Sequence, residues 1–305
     1  MYYPILRGKL NELLALRELS ELNLKYFTPV IEPVKKDIKQ LIKTIEHLNK
    51  NSIEPYIIIN PSIGEYSHCS EELFIALNKF ESISYQVLYS INQETKNYED
   101  FLGIGSFGLF IQKGIDNKII DFSTKSMINF IQNDVNPNVK KLINNKVIYE
   151  DFFRKQKKNA DYPKESQFSS IHSYFTQENN VIGFSDYTIT GDDFNENGGP
   201  AYVVTIHCSY IDKNRFDELF IRHYSSTDDG TPTNPGAKFI EALSLLIDEV
   251  NEGKIPFTNT NALNNFKYLH KIEHFPGLGQ IKKISIKHHI ETINNFLSVP
   301  FEVNR

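Results

Sequence analysis

The sequence predicts an α/β fold, a TIM-barrel-like (β/α) barrel with an irregular second half. Seven or eight short apolar runs each end in a polar residue, and segments with helical spacing separate these runs in the first half of the chain. The chain has 305 residues, and α/β barrels occupy roughly 250 residues with room for insertions. A single barrel-like domain over 1–305 therefore fits both the pattern and the length.

The apolar runs are the predicted strands. Parallel strands that are buried on both faces read as continuous apolar runs. The runs cover residues 3–7, 29–32, 56–60, 86–90, 108–112, 147–151, 182–186 and 220–223. Because α/β proteins place their ligands at the carboxyl ends of such strands, the polar run ends predict one site at one end of the barrel.

The segments between the runs are the predicted helices. Apolar residues at helical spacing predict helices over 9–22, 36–50, 71–80, near 94–102 and within 123–144. This alternation is typical of βαβ units with a parallel sheet. In the second half, residues 183–211 predict an extra hairpin, 238–251 predict an amphipathic helix, and 256–305 form a helical C-terminal tail.

Composition limits the classes of function. The formal net charge is −5, so no dominant basic field favours binding to extended duplex DNA. Cys69 and Cys208 lie far apart without a CxxC partner, which favours reduced thiols in a cytoplasmic protein. No apolar run approaches the roughly 20 residues that span a bilayer, so no membrane association is expected.

The opening of the chain resembles a known family. The segments that carry the likeness are Tyr3–Lys9 followed by Glu12, then Thr28–Glu32, Gly183–Tyr187 and Ile221–His223. They are similar to segments of the Beta-protein family of phages and bacteria, for which no activity is settled. The resemblance implies a barrel-like fold and a phage or phage-defence context, and it implies no catalytic assignment.

A charged cluster follows the first predicted strand. Arg7 and Lys9 are candidate ligands for an anionic group such as phosphate, helped by the positive end of the following helix. Glu12 lies in the first turn of that helix. The alternative is that Lys9 and Glu12 form only a salt bridge at the helix start.

Three carboxylates each end an apolar run. If the sheet closes, Glu32, Asp151 and Asp186 converge, and they could bind Mg²⁺ or act as general acid and base, with Asp151 and Asp186 as the metal ligands. Tyr187 follows Asp186, and Asn60 ends the third run; both join the ligand-binding set. The alternative is that each carboxylate caps a helix or pairs with a nearby cation.

Arg222 and His223 end the last run. His223 could serve as a base or metal ligand and Arg222 could bind phosphate, or the two are a surface arginine beside a histidine at the edge of the core. A Cys–His dyad at His207 and Cys208 is not expected, because adjacent strand residues point to opposite faces. The pair at 288–289 predicts a solvated helix face rather than a zinc site.

Two functions stay open at this point. The first is a metal-assisted hydrolase or phosphodiesterase-like enzyme that acts on a phosphate-bearing small molecule or a nucleic-acid end. The second is a non-catalytic binding subunit or scaffold of a phage-defence or phage-encoded assembly, with a partner protein. Converging carboxylates would favour the enzyme, and dispersed, salt-bridged carboxylates would favour the scaffold.

Overall fold

The computed structural model describes residues 1–67, 69–92, 95, 105–195 and 199–299. These residues form two units. The barrel unit comprises the described residues of Met1–Asn23, Phe27–Asp151 and Tyr174–Tyr187. The sheet unit comprises Leu24–Tyr26, Phe152–Ser173 and the described residues from Thr188 onward. The single domain over 1–305 stays a prediction.

The described residues contain eleven strands. They are β1 (Ile5–Leu6), β2 (Val30–Ile31), β3 (Tyr56–Ile58), β4 (Gln86–Ile91), β5 (Gly108–Ile111), β6 (Asn129–Gln132), β7 (Lys146–Glu150), β8 (Glu165–Ser169), β9 (Val181–Asp186), β10 (Thr205–Asp212) and β11 (Glu218–Ser225). Eight of them, β1 to β7 and then β9, pair in parallel in that order and belong to the barrel unit.

Nine α-helices occur in the same described ranges. They are α1 (Leu10–Ser20), α2 (Lys39–Lys50), α3 (Ser70–Leu77), α4 (Asn117–Ser123), α5 (Pro137–Lys140), α6 (Ile171–Tyr174), α7 (Pro235–Glu252), α8 (Asn261–Lys271) and α9 (Leu278–Ser298). The first three confirm the helices predicted from apolar spacing, since Leu13, Leu16 and Leu19 of α1 are all buried. The helix predicted near 94–102 lies outside the described residues, apart from Thr95.

The barrel is nearly closed, with one unsealed seam between β1 and β9. An isolated bridge joins Tyr2 to Phe184 there. The amide of Tyr3 donates to the carbonyl of Phe184 at 2.9 Å, and the amide of Phe184 donates to that of Met1 at 3.1 Å. Alternating strands and helices around this sheet confirm the predicted TIM-barrel-like fold.

Gly183 allows the two seam strands to approach closely. A Cβ atom at this position would lie 2.6 Å from the ring of Tyr3 and 2.5 Å from the carbonyl oxygen of Met1. Real Cβ atoms do not approach other atoms so closely, so the seam requires a residue without a side chain here.

The interior of the barrel is apolar and rich in aromatic rings. One buried cluster, which we call the barrel interior, consists of Tyr3, Ile5, Val30, Ile58, Leu88, Phe110, Ile128, Phe130, Val147, Tyr149 and Tyr187. The rings of Phe110 and Tyr149 stack with their centroids 4.4 Å apart. Side chains rather than a channel therefore fill the barrel, as expected for eight strands.

The sheet unit is built around a small antiparallel sheet in the order β10-β11-β8. Its apolar core joins residues of β10 and β11 to α7, α8 and the start of α9, including Cys208, Phe239, Leu246 and Phe266. Capping fixes two of these helices: the Asn234 side chain accepts from the amide of Ala237, and Thr260 accepts from that of Leu263.

The structure corrects four predictions. Residues 129–132, predicted as helical, form β6, because the short apolar run there fits either period. Residues 220–223 belong to β11 of the antiparallel sheet rather than to the barrel. The hairpin expected around 183–211 does not form, since β9 pairs in parallel with β7 and β10 pairs with β11. His288 and His289 are fully buried rather than solvated.

The predicted C-terminal tail is helical over α8 and α9. Residues 300–305 of that tail lie outside the described part of the chain. The buried histidines of α9 follow from its packing, because this helix contacts both β10 and α8.

Candidate functional site

Polar side chains follow five consecutive strands at the carboxyl end of the barrel. They form what we call the polar arc: Arg7 after β1, Glu32 after β2, Asn60 after β3, Ser90 near the end of β4 and Gln112 after β5.

Each member of the polar arc lies two positions beyond a residue of the barrel interior. Those interior residues are Ile5, Val30, Ile58, Leu88 and Phe110. Because strand side chains alternate between faces, this spacing gives all five positions the register of the barrel interior. The arc is therefore a direct consequence of the register of the sheet.

Arg7 and Glu32 form a buried ion pair in the arc. They are 7% and 4% exposed. The ring of Tyr187 lies against the guanidinium, whose central carbon is 4.7 Å from the ring centroid. The second carboxylate oxygen of Glu32 accepts from the amide of Ser62 at 3.2 Å. Charge, ring and backbone together hold the arginine head in one place.

The turn from β1 into α1 contributes a second carboxylate. Gly8 adopts a left-handed conformation, with φ of +66°, and lets the chain reverse into the helix. The carboxylate of Glu12, which is buried in the first turn of α1, accepts from the backbone amide of Arg7 at 2.6 Å. Lys9, the residue before α1, is half-buried.

The other half of the arc is a ladder of amide and hydroxyl groups. The Asn60 side chain brackets residue 90, donating to its carbonyl at 2.7 Å and accepting from its amide at 2.8 Å. Gln112 donates to the hydroxyl of Ser90 at 2.9 Å. Asn60 and Gln112 are half-buried.

Five of the predicted site residues meet at this end of the barrel unit: Arg7, Glu12, Glu32, Asn60 and Tyr187. Sequence reasoning missed Ser90 and Gln112 as site residues. The signal was nevertheless present, because both end apolar runs in the same way as the predicted members.

The carboxylate of Asp186 lies on the outer side of β9. It is 1% exposed and accepts a hydrogen bond from the hydroxyl of Tyr2 at 2.8 Å. The ring of Tyr2 stacks on Phe184, with centroids 5.1 Å apart. Since Tyr187 belongs to the barrel interior, alternation turns the neighbouring carboxylate to the opposite face of the sheet.

Asp151 shares the inward register, because it lies two positions beyond Tyr149, but it is exposed. Glu32, Asp151 and Asp186 therefore do not converge as one carboxylate set. Among the residues that the structure describes, no group of three or more His, Cys, Asp or Glu side chains has the arrangement of a metal site. The Mg²⁺ site at Asp151 and Asp186 stays a prediction.

Arg222 and His223 lie on β11, in the sheet unit. The guanidinium of Arg222 forms an ion pair with Glu249 of α7, and Tyr224 donates to the same carboxylate. This arginine therefore has a structural partner within its own unit. His223 contacts Ser166 and His207 rather than a charged group.

Comparison of the chain with protein-family models, with curated proteins and with solved structures found no match. The resemblance to the Beta-protein family therefore stays a prediction from the quoted segments. Every helix within the described ranges is too short or too polar to cross a membrane.

Proposed function

We propose that the polar arc binds a small molecule that carries a phosphate group on a hydroxyl-rich body. The observation that supports this proposal is the arc itself: five consecutive strands direct an arginine, a carboxylate, two amides and a hydroxyl toward one end of the barrel. In α/β barrels this end is where ligands bind, since the loops after the strands surround it.

The phosphate is assigned to Arg7 and Lys9. An arginine guanidinium matches the geometry of phosphate, and the amino end of α1 adds a favourable dipole. Glu12 and Glu32 orient this region but also offset its positive charge. Phosphate alone should consequently bind weakly, and a ligand needs further contacts.

The hydroxyl-rich body is assigned to Asn60 and Gln112. An amide both donates and accepts hydrogen bonds, as a sugar hydroxyl does, so the two groups are chemically complementary. Their partial exposure allows the exchange of solvent for ligand.

Binding without metal-assisted hydrolysis is the better supported form of this function. Glu32 is engaged in an ion pair, and Asp186 faces away from the arc. Hydrolysis of the bound phosphate ester is the second candidate, because Glu12 and Glu32 bring two carboxylates to the same place. The phage or phage-defence setting and a partner protein rest on the resemblance alone.

Calorimetric titration of the full chain tests the proposal, with ribose 5-phosphate, ribose and inorganic phosphate as probes. Ribose 5-phosphate should bind about tenfold more tightly than either fragment. Lys9→Ala should weaken ribose 5-phosphate by about tenfold and leave ribose unchanged, since one charge-assisted hydrogen bond is lost. Asn60→Ala should weaken both sugars.

Lys43→Ala is the matched control, because this exposed lysine lies on α2 of the same unit. The proposal is wrong if the variants at positions 9 and 43 behave alike, or if none of the three probes binds at millimolar concentration. Release of inorganic phosphate from ribose 5-phosphate in the presence of Mg²⁺, lost in Glu32→Gln, would instead favour the hydrolase.

A further inference from the structure

The sheet unit brings a serine and two histidines together on one face of its sheet. His207 of β10 and His223 of β11 are directly opposite each other in the antiparallel register. Ser166 of β8 is opposite Ile221, which places its side chain diagonal to His223 on the same face. Three separate strands thus converge on one short set of polar atoms.

These side chains form a continuous series of hydrogen bonds. The Oγ atom of Ser166 lies 2.8 Å from Nε2 of His223. On the other side of that ring, Nδ1 of His223 lies 2.8 Å from Nδ1 of His207. The central imidazole therefore contacts a hydroxyl through one nitrogen and an orienting group through the other.

Aromatic rings hold both imidazoles in place. The ring of Tyr162 stacks on His223, with centroids 4.8 Å apart, and meets His207 edge-on at 4.7 Å. Phe153 meets His207 edge-on at 5.2 Å. Ser166 itself is half-buried, whereas His223 is 6% exposed.

Both histidines are neutral at physiological pH. Burial and the charge of Arg222 lower the pKa of His223 to about 4. Burial, His223 and Lys282 lower the pKa of His207. In the neutral pair one Nδ1 carries the proton that the other accepts. When that proton is on His223, its Nε2 is an acceptor and takes the hydroxyl proton of Ser166.

We propose that Ser166, His223 and His207 form an acyl-transfer site in which Ser166 is the nucleophile, His223 the base and His207 the positioning residue. The substrate class is a small activated ester. This site lies within the sheet unit and is independent of the function proposed for the polar arc.

In the proposed reaction, Oγ of Ser166 attacks the ester carbonyl carbon while its proton passes to Nε2 of His223. The bond between that carbon and the leaving oxygen then breaks, and the leaving alcohol takes the proton from Nε2. Water hydrolyses the acyl-serine by the same route, releasing the acid and restoring the hydroxyl.

The order of the contacts supports a chemical role in addition to a structural one. A structural contact requires only that the hydrogen bonds be satisfied. The nucleophile–base–orienter order, with the hydroxyl on Nε2 and the orienting group on Nδ1, is what proton removal from serine requires.

Labelling of the full chain with a fluorophosphonate probe tests the proposal, followed by peptide mass spectrometry. Oγ of Ser166 displaces fluoride from phosphorus and its proton leaves through His223, so one adduct on Ser166 is expected. Ser166→Ala should abolish the adduct. His223→Gln should slow labelling by about 10²- to 10⁴-fold, the usual contribution of a general base.

His207 requires a readout that a structural role would not change. His207→Phe should slow labelling, and His207→Asn should restore part of the rate, because its amide oxygen can accept from Nδ1 of His223. The labelling rate should decrease as the pH is lowered through about 4, where His223 takes up a proton. This decrease is the acid limb of the pH profile. Burial and the charge of Arg222 set this limb. His207 and Tyr162 also face the His223 ring, and Lys282 acts on His207.

Ser225→Ala is the matched control, since this half-buried serine of β11 contacts Thr205 rather than a histidine. Its adduct on Ser166 should match that of the wild type. The proposal is overturned if wild-type peptides show no more label on Ser166 than on Ser225, or if His223→Gln is labelled at the wild-type rate. The wild-type peptide map decides the question even if Ser166→Ala fails to fold.

Discussion

Acid should destabilise the sheet unit well above the pH at which most carboxylates titrate, and His288 offers the cleanest test. This residue of α9 is fully buried. Its Nε2 lies 2.8 Å from the carbonyl oxygen of Ser209, and its Nδ1 lies 2.7 Å from the hydroxyl of Thr260. A neutral ring satisfies both contacts, because it donates to the carbonyl and accepts from the hydroxyl.

Burial lowers the pKa of His288 from 6.5 to about 4. The unfolded chain therefore takes up the proton first as the pH falls. Stability from the neutral ring is fully present above pH 6.5 and is lost progressively as the pH drops toward 4. At pH 5 the expected loss is about 2 kcal/mol relative to pH 8.

Comparison of the wild type with His288→Gln isolates this residue. The amide keeps a donor and an acceptor but does not titrate in this range. The variant should have a lower free energy of unfolding than the wild type at pH 8. This difference, which we call the deficit, should shrink by about 2 kcal/mol at pH 5. Burial raises the pKa of the Glu291 carboxyl, so this residue changes the pH dependence of stability with the opposite sign. It does so equally in the wild type and the variant, and its effect cancels in the comparison.

Urea unfolding followed by hydrogen exchange of α9 peptides gives the measurement, because exchange reports on this helix alone. His274→Gln is the control, since this histidine is exposed in the same unit. A deficit for His288→Gln that stays constant from pH 8 to pH 5 would refute the reasoning.

Three further predictions concern packing and are checked by urea unfolding. Gly183→Ala should cost about 1–3 kcal/mol, because a Cβ there overlaps the seam, whereas Gly199→Ala, with open space around it, should be tolerated. Tyr2→Phe should cost about 1–3 kcal/mol, because the buried carboxylate of Asp186 loses a donor. Leu246→Ala should cost about 2–5 kcal/mol, since this side chain is fully buried between helices and sheet. Unchanged unfolding midpoints in any of the three would contradict the packing described.

Seven of the eight barrel strands were predictable, because a strand that is buried on both faces reads as a continuous apolar run in the sequence. The runs at 3–7, 56–60 and 108–112 contain three of its strands, and the polar residue that ends each run belongs to the arc. The run at 220–223 was predicted as a strand in the same way, yet it pairs in an antiparallel sheet. Composition alone does not distinguish these two environments, because both bury the strand.

The candidate sites were likewise predictable only in part from the sequence. Arg7 and Glu32 were predicted as site residues, and an ion pair of Glu32 with a nearby cation was the alternative. Arg7 as that cation was not predicted, because closure of the sheet brings the two together. The Ser166–His223 contact could not be predicted from the sequence, since the two residues are 57 positions apart.

The sequence by itself determined seven of the eight barrel strands and the polar residues that end them, because apolar periodicity and chain order are local properties, whereas β6 was predicted as helix. Only the tertiary structure decided which face of each strand looks inward and which strands become neighbours. Asp186 and Tyr187 illustrate this difference: they are adjacent in the chain, yet only the tyrosine reaches the barrel interior. The reason is that a strand presents alternate residues to opposite faces, and the register with distant strands selects the face that is buried.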